Sequence, residues 1–254
     1  MKHFISFLII LLASALTHGQ QLHYKHKDLP CYNKKFNVHV HIILDSLQKS
    51  NVTRSQIEDV FEEASSKFSP ICLSFEVCKV DTIKNYNFDS IPKANEYEEV
   101  HTKFSSDKRI NVYILTHTFI EKDMSIQKIC GLAGRSIYIS KNCMGALTHE
   151  LGHFFGLAHT FEGEGKELVN GSNCLTEGDR ICDTPADPYI QFVDLKQYIK
   201  DCEFINIQTD ANGEYYQPHL ANIMSYYDCP CQQFTRGQFL KMGENYLANF
   251  KDFW

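Results

Sequence analysis

Apolar residues alternate with other residues along positions 36–44, and this period of two predicts a β-strand. Val38, Val40 and Ile42 fall on one face of that strand, with histidines on the other face. The first half of the chain is predicted to be rich in strands, because similar short apolar runs follow. These runs occupy residues 71–80, 110–115 and 135–140.

Helical spacing of apolar residues begins after Thr53. Thr53 and Gln56 form a capping-box pattern, in which each side chain can satisfy a backbone amide of the other residue. Two later helices are predicted at residues 144–158 and 235–250, and the stretch between them, with its glycines, prolines and five cysteines, is predicted to be mostly loop. The pattern indicates an α+β fold with a strand-rich first lobe and a loop-rich second lobe. The apolar positions of the first helix are Ile57, Val60, Phe61, Ala64 and Phe68.

The first 19 residues have the pattern of a secretory signal peptide. Lys2 is basic, residues 4–16 form an uncharged apolar run of 13 residues, and Thr17 and Gly19 place small side chains before a cleavage point after Gly19. The run is shorter than the roughly 20 residues that cross a bilayer as a helix. A buried N-terminal helix is the alternative. Residues 20–35 are polar and would form an N-terminal arm or a short pro-segment.

Composition narrows the classes of function. The chain has 254 residues, of which 43% are hydrophobic and 22% are charged, so it can bury a core. A formal net charge of −6, without a block of Lys or Arg, argues against a nucleic-acid partner. Ten cysteines after a signal-like start favour a secreted, extracellular protein with disulfides. No membrane span is expected, and a monomer is the default.

The candidate chemistry lies in the segment HELGHFFGLAH, residues 149–159. On a helix, His149 and His153 are four residues apart and project from one face, so both imidazoles can reach one cation. Glu150 is turned about 100° from His149, which places it near the metal but leaves it free to hold a water molecule. This spacing predicts a zinc site with a glutamate as general base.

A third ligand requires the chain to turn back on itself. Gly156 readily adopts positive φ, ends the helix and lets His159 approach the metal from another side. Three neutral imidazoles leave the fourth tetrahedral position open, which is typical of a catalytic zinc rather than a structural one. The sequence therefore predicts one catalytic Zn²⁺ bound by His149, His153 and His159.

At these residues the chain resembles the metzincin metallopeptidases, whose zinc motif is HExxHxxGxxH. Residues 222–226, NIMSY, resemble the methionine turn of that clan, and residues 178–185, GDRICDTP, resemble the pappalysin family, particularly its short, cytophagalysin-like secreted members. The resemblance implies a zinc metalloendopeptidase catalytic domain over residues 36–254. Its fold would be a metzincin-type zincin, with a twisted mixed sheet and the active-site helix in an upper lobe, about residues 36–158. An irregular lower lobe, about residues 159–254, would be stapled by disulfides and end in a helix.

The resemblance also implies roles for single residues. Glu150 would take a proton from the zinc-bound water and pass it to the leaving amine of a protein or peptide substrate. Tyr226 matches a tyrosine that supports the oxyanion, with a packed core tyrosine as the alternative. Met224 would form a floor under the imidazoles. Residues 135–140 would be the edge strand that pairs with an extended substrate.

Disulfide pairing in the second lobe is also implied by the resemblance. Pappalysin relatives tie the loop after the zinc motif to the segment before the methionine turn. The implied pairs are Cys174 with Cys202, and Cys182 with either Cys229 or Cys231.

Three cysteines of the first lobe leave alternatives open. Cys130 and Cys143 flank the expected edge strand and would staple it. Cys31 is either disulfide-bonded, as the even cysteine count favours, or a pro-segment thiolate that keeps the enzyme latent.

Acidic residues follow the zinc motif closely. Residues 162–167 with Asp179, Asp183 and Asp187 would help bind Ca²⁺, as some relatives do, and a solvated acidic face is the alternative. Asn51 and Asn170 begin glycosylation motifs, which suits a secreted glycoprotein.

Two other functions fit less of the sequence. A catalytically impaired metzincin that acts as a binding protein would have lost Glu150 or a ligand histidine, and none is lost. A zinc aminopeptidase of another clan would take its third ligand from a glutamate on a later helix, which the pairing of Gly156 with His159 does not favour.

Overall fold

The computed structural model describes residues 28–122 and 124–254. The predicted signal peptide, residues 1–19, lies outside the described residues, as does the first half of the predicted arm. Within them, no helix combines the length and the hydropathy that a membrane crossing requires. The helices and strands, in chain order, are β1 (Lys34–Ile43), α1 (Arg54–Phe68), β2 (Leu73–Ile83), β3 (Ser90–Ile91), α2 (Ala94–Phe104), β4 (Ile110–Leu115), β5 (His117–Lys122), β6 (Ser125–Ile129), β7 (Gly131–Ala133), β8 (Ile137–Ser140), α3 (Leu147–Phe154), β9 (Ile199–Lys200), β10 (Glu203–Phe204) and α4 (Arg236–Asn245).

The main sheet has five strands in the order β2-β1-β4-β8-β7. The first four are parallel, and β7 runs antiparallel to β8. A second sheet, β3-β5-β6, also mixes parallel and antiparallel pairs, and β9 pairs with β10. The α+β class with mixed sheets is therefore confirmed.

Strand β1 contributes to both faces of the main sheet, as its alternation predicts. Val38, Val40 and Ile42 belong to the larger core, which also holds the apolar faces of α1, α3 and α4. On the opposite face, Ile43 packs in a second core with Tyr97 of α2. The sheet is thus covered by helices on both sides, and its strands are largely buried.

The predicted start of α1 is confirmed in detail. Thr53 Oγ1 accepts a hydrogen bond from the Gln56 amide at 3.2 Å, and Gln56 Oε1 accepts one from the Thr53 amide at 2.9 Å. This reciprocal capping box satisfies two amides that the first turn of a helix leaves open. Helix α4 begins with the same arrangement at Thr235 and Gln238.

The prediction that residues 135–140 form the edge strand was wrong. Only Ile137–Ser140 form a strand there, β8, and its four residues are all buried between β4 and β7. The edge of the sheet on this side is β7, Gly131–Ala133. Three small or apolar residues give no alternation to detect, which is why β7 was missed. The helix predicted at residues 144–158 is shorter than predicted at both ends, because α3 spans Leu147–Phe154.

The two disulfides predicted for the second lobe were also wrong. The structure pairs Cys174 with Cys182 and Cys202 with Cys229. The loop between Cys174 and Cys182 folds back through Gly178, whose φ is +60°, so the two Cα atoms come within 5.0 Å of each other. The local pair therefore forms in place of the long-range one.

The disulfides of the first lobe agree with their predictions. Cys130 pairs with Cys143, and the bridge spans β7 and β8. Cys31 pairs with Cys72, which supports the disulfide interpretation of Cys31 over a latency thiolate. The thiol of Cys78 lies on the exposed side of β2.

His39 and His41 are buried side by side in β1. Their ring centroids are 3.8 Å apart, and His41 also stacks on Tyr113. His39 contacts Asp81 at 3.0 Å, while His41 Nε2 lies 3.2 Å from Asn111 Oδ1. Burial is the largest cause that lowers the pKa of both histidines, and it brings that of His41 to about 4.

We expect this pair to make the fold acid-labile. Between pH 6.5 and about 4, His41 binds a proton in the unfolded chain but not in the folded one, so stability falls as the pH is lowered through this range. The loss amounts to about 3 kcal/mol. The substitution His41→Phe should flatten the dependence, as measured by urea unfolding at pH 7 and pH 4.5. Equal pH dependence in both proteins would contradict this assignment.

Candidate metal centre

Three histidine side chains converge at the C-terminal half of α3. His153 Nε2 lies 3.0 Å from His149 Nε2 and 3.1 Å from His159 Nε2. Among the described residues, these three form the one group of at least three His, Cys, Asp or Glu side chains close enough to hold a metal ion. The structure therefore brings together all three predicted ligands.

The tautomers of two histidines are set by backbone carbonyls. His149 Nδ1 lies 2.7 Å from the Ile223 carbonyl oxygen, and His153 Nδ1 lies 2.8 Å from that of Leu157. Each Nδ1 must donate its proton there, so each Nε2 presents a lone pair to the other. Burial lowers the pKa of all three histidines, that of His149 to about 3. Converging neutral lone pairs repel one another without a cation, and this donor set fits a bound Zn²⁺.

The turn after α3 brings the third histidine to the other two. Gly156 has φ of +89°, its amide bonds to the His153 carbonyl at 2.8 Å, and the Leu157 amide bonds to the Gly152 carbonyl at 3.0 Å. These two bonds define a Schellman motif, which ends a helix at a glycine. The same motif aims the Leu157 carbonyl at His153, so the helix end both reverses the chain and orients a ligand.

The predicted methionine turn lies directly beneath the histidines. Asn222 Oδ1 accepts a hydrogen bond from the Met224 amide at 2.8 Å, and the neighbouring Ile223 carbonyl oxygen accepts one from His149 Nδ1. Asn222 is itself held by two side-chain hydrogen bonds to Gln238 of α4, at 3.0 and 3.1 Å. Because both side chains are fully buried, α4 fixes the turn and thereby one ligand.

Gly152 allows the methionine turn to approach α3. A Cβ at Gly152 would lie 2.4 Å from Met224 Sδ, which is inside any real contact distance. Met224 is fully buried, and its sulfur packs against the backbone of α3 at Gly152, next to His153. The position predicted for Met224 as a floor under the imidazoles is consistent with this packing.

Glu150 lies on α3 beside the histidines, with its side chain buried against β7. Burial raises the pKa of Glu150 to about 8. Its carboxyl group fills the space that a side chain at Gly131 would need, since a Cβ there would meet Glu150 Cγ at 2.6 Å and Oε1 at 2.7 Å. Gly131 thus belongs to the site, although no motif in the sequence marks it.

We expect Gly131→Ala to impair the site without unfolding the protein. Gly131 does not have positive φ, so alanine suits the backbone, and the three atoms nearest to the added Cβ all belong to the Glu150 side chain. A displacement of about 1 Å in a reacting group can lower kcat by up to about 100-fold. The matched control is Gly134→Ala, because a Cβ there meets nothing within 4 Å. Equal kcat for both variants would contradict the prediction.

Tyr226 lies beside two of the histidines. Its ring centroid is 4.9 Å from that of His159 and 5.8 Å from that of His149. The hydroxyl oxygen accepts a hydrogen bond from Gln191 Nε2 at 3.3 Å, and burial is the main cause that raises the pKa of Tyr226. The phenol is therefore protonated at neutral pH. The side chain is partly buried and its ring packs against those of Phe161 and Tyr189.

A cleft of about 710 Å³ opens in front of these residues. Its lining includes Gly131 of β7, Glu150 of α3, Phe192 and Tyr226. The cleft therefore draws its walls from both halves of the chain, and His149 of the metal centre lines it.

The predicted acidic cluster is brought together only in part. Glu167, Asp179 and Asp187 are all buried, whereas Asp183 caps α4 by accepting hydrogen bonds from Thr235 and from the Gly237 amide, both at 2.8 Å. Glu167 Oε2 and Asp179 Oδ2 are buried without a hydrogen-bond partner. Burial is the largest cause that raises the pKa of Glu167 to about 8 and that of Asp179 to about 7.

Comparison with known families agrees with this geometry. The family model described as peptidase M43, pregnancy-associated plasma protein-A, matches residues 97–247, which is more than half of the chain. The chain belongs to peptidase family M43. The match covers the whole metal centre, from β7 to α4, and confirms the pappalysin resemblance of the zinc motif.

Two fungal proteins are similar to this M43 chain. An extracellular metalloprotease of Podospora anserina is 26% identical over 180 residues, which cover 63% of this chain and 58% of that protein. An extracellular metalloprotease of Colletotrichum graminicola is 34% identical over 102 residues, which cover 40% of this chain and 30% of that protein. The alignments thus span little more than half of one relative and less than a third of the other.

One solved structure similar to this M43 chain is archaemetzincin from Methanopyrus kandleri. The sequences are 14% identical, the TM-score is 0.34, and the alignment covers 49% of this chain and 76% of that one.

Several residues of the M43 centre could not be found from motifs. Gly131 leaves space for the Glu150 side chain, and Gln191 donates a hydrogen bond to Tyr226. Gln238 accepts a side-chain hydrogen bond from Asn222. In each case the two residues come from different parts of the chain. The capping-box pattern at Thr235 was a usable signal for the role of Gln238, but Gln191 lies in a loop without any recognisable pattern.

Proposed function

We propose that this M43 chain is a secreted zinc endopeptidase that hydrolyses peptide bonds of extracellular proteins or peptides. The observation that carries the proposal is the convergence of three histidine Nε2 atoms beside an open cleft, which is lined by His149 and by the buried side chain of Glu150. The two fungal relatives, both named as extracellular metalloproteases, support the same activity.

His149, His153 and His159 would hold the zinc. When bound, zinc supplies Lewis acidity toward water and the scissile carbonyl. Glu150 would accept the proton of the attacking water and deliver it to the leaving amine, which suits a carboxyl group with a raised pKa. Tyr226, as a protonated phenol, would donate a hydrogen bond to the carbonyl oxygen as negative charge develops on it.

The substrate would bind as an extended strand along β7. This strand is the edge of the main sheet, and Gly131 lines the cleft, so the outer backbone groups of Gly131–Ala133 can pair with a peptide main chain. We place the upper lobe of a metzincin at about residues 36–158 and the lower lobe at about residues 159–254. Walls contributed to the cleft by both segments support this division.

Secretion is part of the proposal. The signal-peptide pattern of residues 1–19, four disulfides among the described residues, and the extracellular relatives support it. Asn51 and Asn170 are exposed, as glycan acceptors must be.

A calcium ion is proposed for the loop after the metal centre. Two buried carboxylate oxygens without hydrogen-bond partners that meet normal geometry, Glu167 Oε2 and Asp179 Oδ2, carry this proposal, and the Thr184 side chain lies beside Asp179. Oxygen donors of this kind are the ligands that Ca²⁺ prefers. The disulfide between Cys174 and Cys182 encloses the segment that contains Asp179.

Cleavage of a peptide library by the purified protein tests the proposed activity. We expect cleavage with one equivalent of zinc, loss of cleavage after removal of the metal with a chelator, and recovery when zinc is returned. Cleavage that persists in the metal-free protein, or no cleavage by the zinc-loaded protein, would overturn the proposal. The second outcome would favour a binding protein.

A further inference from the structure

We propose that Lys122 and Gln191 form a positioning pair that keeps the hydroxyl proton of Tyr226 available to the substrate. Neither residue belongs to a motif recognised in the sequence, and the role of the pair rests on the proposed peptidase function. Lys122 lies at the end of β5, and Gln191 lies in a loop directly before Phe192, which lines the cleft.

Three side chains make a continuous line from the surface to the site. Lys122 Nζ donates to Glu164 Oε1 at 2.8 Å and to Gln191 Oε1 at 3.3 Å. Gln191 Nε2 in turn donates to the Tyr226 hydroxyl oxygen at 3.3 Å. Lys122 is thus the anchor, and Gln191 is the group that touches Tyr226.

The chemistry of the three groups determines the direction of every hydrogen bond. An ammonium group can only donate, so the amide oxygen of Gln191 must face Lys122. The NH₂ group of Gln191 must then face Tyr226, and the phenol oxygen acts as an acceptor. The Tyr226 proton is consequently not used within this line and can be donated to a carbonyl oxygen in the cleft.

Without Lys122 this direction would be lost. A free glutamine amide can turn by 180° about its last bond, because its oxygen and nitrogen ends have nearly the same shape. The turned amide would accept the Tyr226 proton, and the phenol would lose its donor function. Lys122 therefore acts on Tyr226 through Gln191, without contacting the reacting atoms.

The backbone around Gln191 supports a constrained role. The Val193 amide bonds to the Ile190 carbonyl at 3.1 Å, which makes residues 190–193 a tight turn with Gln191 as its second residue. Phe192, the third residue, has φ of +71°, a conformation that such turns usually reserve for glycine or asparagine. Phe192 also lies under Lys122, whose Nζ is 5.8 Å from the ring centroid.

Four variants test the pair. Lys122→Met removes the donor that fixes the orientation of the Gln191 amide, and Gln191→Glu replaces this amide by a carboxylate. A carboxylate next to Tyr226 must accept a hydrogen bond from the phenol. Lys122→Arg keeps a hydrogen-bond donor to Gln191 and should behave like the wild type. Lys103→Met is the matched control, because Lys103 also pairs with a glutamate, Glu99, and lies 5.5 Å from a phenylalanine ring, but far from the cleft on α2.

The first measurement uses the zinc-free protein and is independent of catalysis. The ¹³Cζ resonance of Tyr226, assigned by its loss in Tyr226→Phe, reports the hydrogen bonding of the phenol oxygen. We expect it to shift in Lys122→Met and Gln191→Glu, and to stay in place in Lys122→Arg and Lys103→Met. An unshifted resonance in the first two variants would overturn the proposal, whether or not the protein cleaves peptides.

The second measurement is steady-state cleavage by the zinc-loaded variants. We expect kcat to fall at least about tenfold in Gln191→Glu and Lys122→Met, with KM changed less than about threefold, because the lost hydrogen bond forms only in the transition state. Unchanged kcat with a shifted resonance would refute the catalytic part. An inactive wild-type protein would instead refute the proposed function, and the resonance would still decide the pair.

Discussion

Replacing Glu150 by glutamine is expected to lower kcat by a factor of about 10² to 10⁴, the usual contribution of a general acid–base group. Glutamine has nearly the same shape as glutamate, so it can occupy the same buried space against Gly131. The amide cannot accept a proton from water and return it to the leaving amine. The substitution therefore removes proton transfer and leaves packing intact.

Metal binding and folding should be unaffected by Glu150→Gln, since the three histidine nitrogens converge without it. The measurements are kcat on a cleavable library peptide, zinc content by atomic absorption, and Tm. Glu62→Gln, on the exposed side of α1, is the control and should match the wild type in all three. Activity within about tenfold of the wild type, with zinc bound, would exclude Glu150 as the general base.

The metal centre was predictable because it is local in sequence. His149, His153, Gly156 and His159 lie within one helix and its terminating turn, so the helical period and the conformational freedom of glycine determine their relative positions. The methionine turn was found only by resemblance, because its hydrogen bonds to α4 join residues that no local pattern connects.

Non-local features account for the errors. The edge strand β7 has three residues without alternation, and its glycine is required by Glu150, which lies 19 positions later in the chain. The disulfides of the second lobe depend on a loop that turns back at Gly178. Contacts of Gln191 with Lys122 and Tyr226 are formed only by the packing of three separate segments.

Removal of calcium is expected to destabilise the zinc-loaded protein at neutral pH. The carboxyl groups of Glu167 and Asp179 are buried and close enough for their charges to repel each other. Neither Glu167 Oε2 nor Asp179 Oδ2 has a hydrogen-bond partner. Without a cation the folded protein retains a proton on Glu167 up to about pH 8, whereas the unfolded chain loses it near pH 4.5. Stability of the calcium-free protein therefore falls as the pH rises between these values. A cation that neutralises both groups should remove most of this loss.

At a calcium concentration about a thousand times Kd, binding to the folded state adds about 4 kcal/mol to the free energy of unfolding. This corresponds to a rise in Tm of roughly 10 °C for a chain of this size.

The test is a Tm titration with CaCl₂ after metal removal on a chelating resin and return of one equivalent of zinc, with MgCl₂ in parallel. Asp179→Asn should abolish the calcium response and stabilise the calcium-free protein, because asparagine stays neutral and removes the cost of burying or protonating the Asp179 carboxyl group. Asp183→Asn should keep the response, because the Asp183 carboxylate accepts the hydrogen bonds that cap α4. A Tm that ignores calcium in the wild type, or a response that survives in Asp179→Asn, would mean that these carboxyl groups stay protonated in the folded protein and bind no ion.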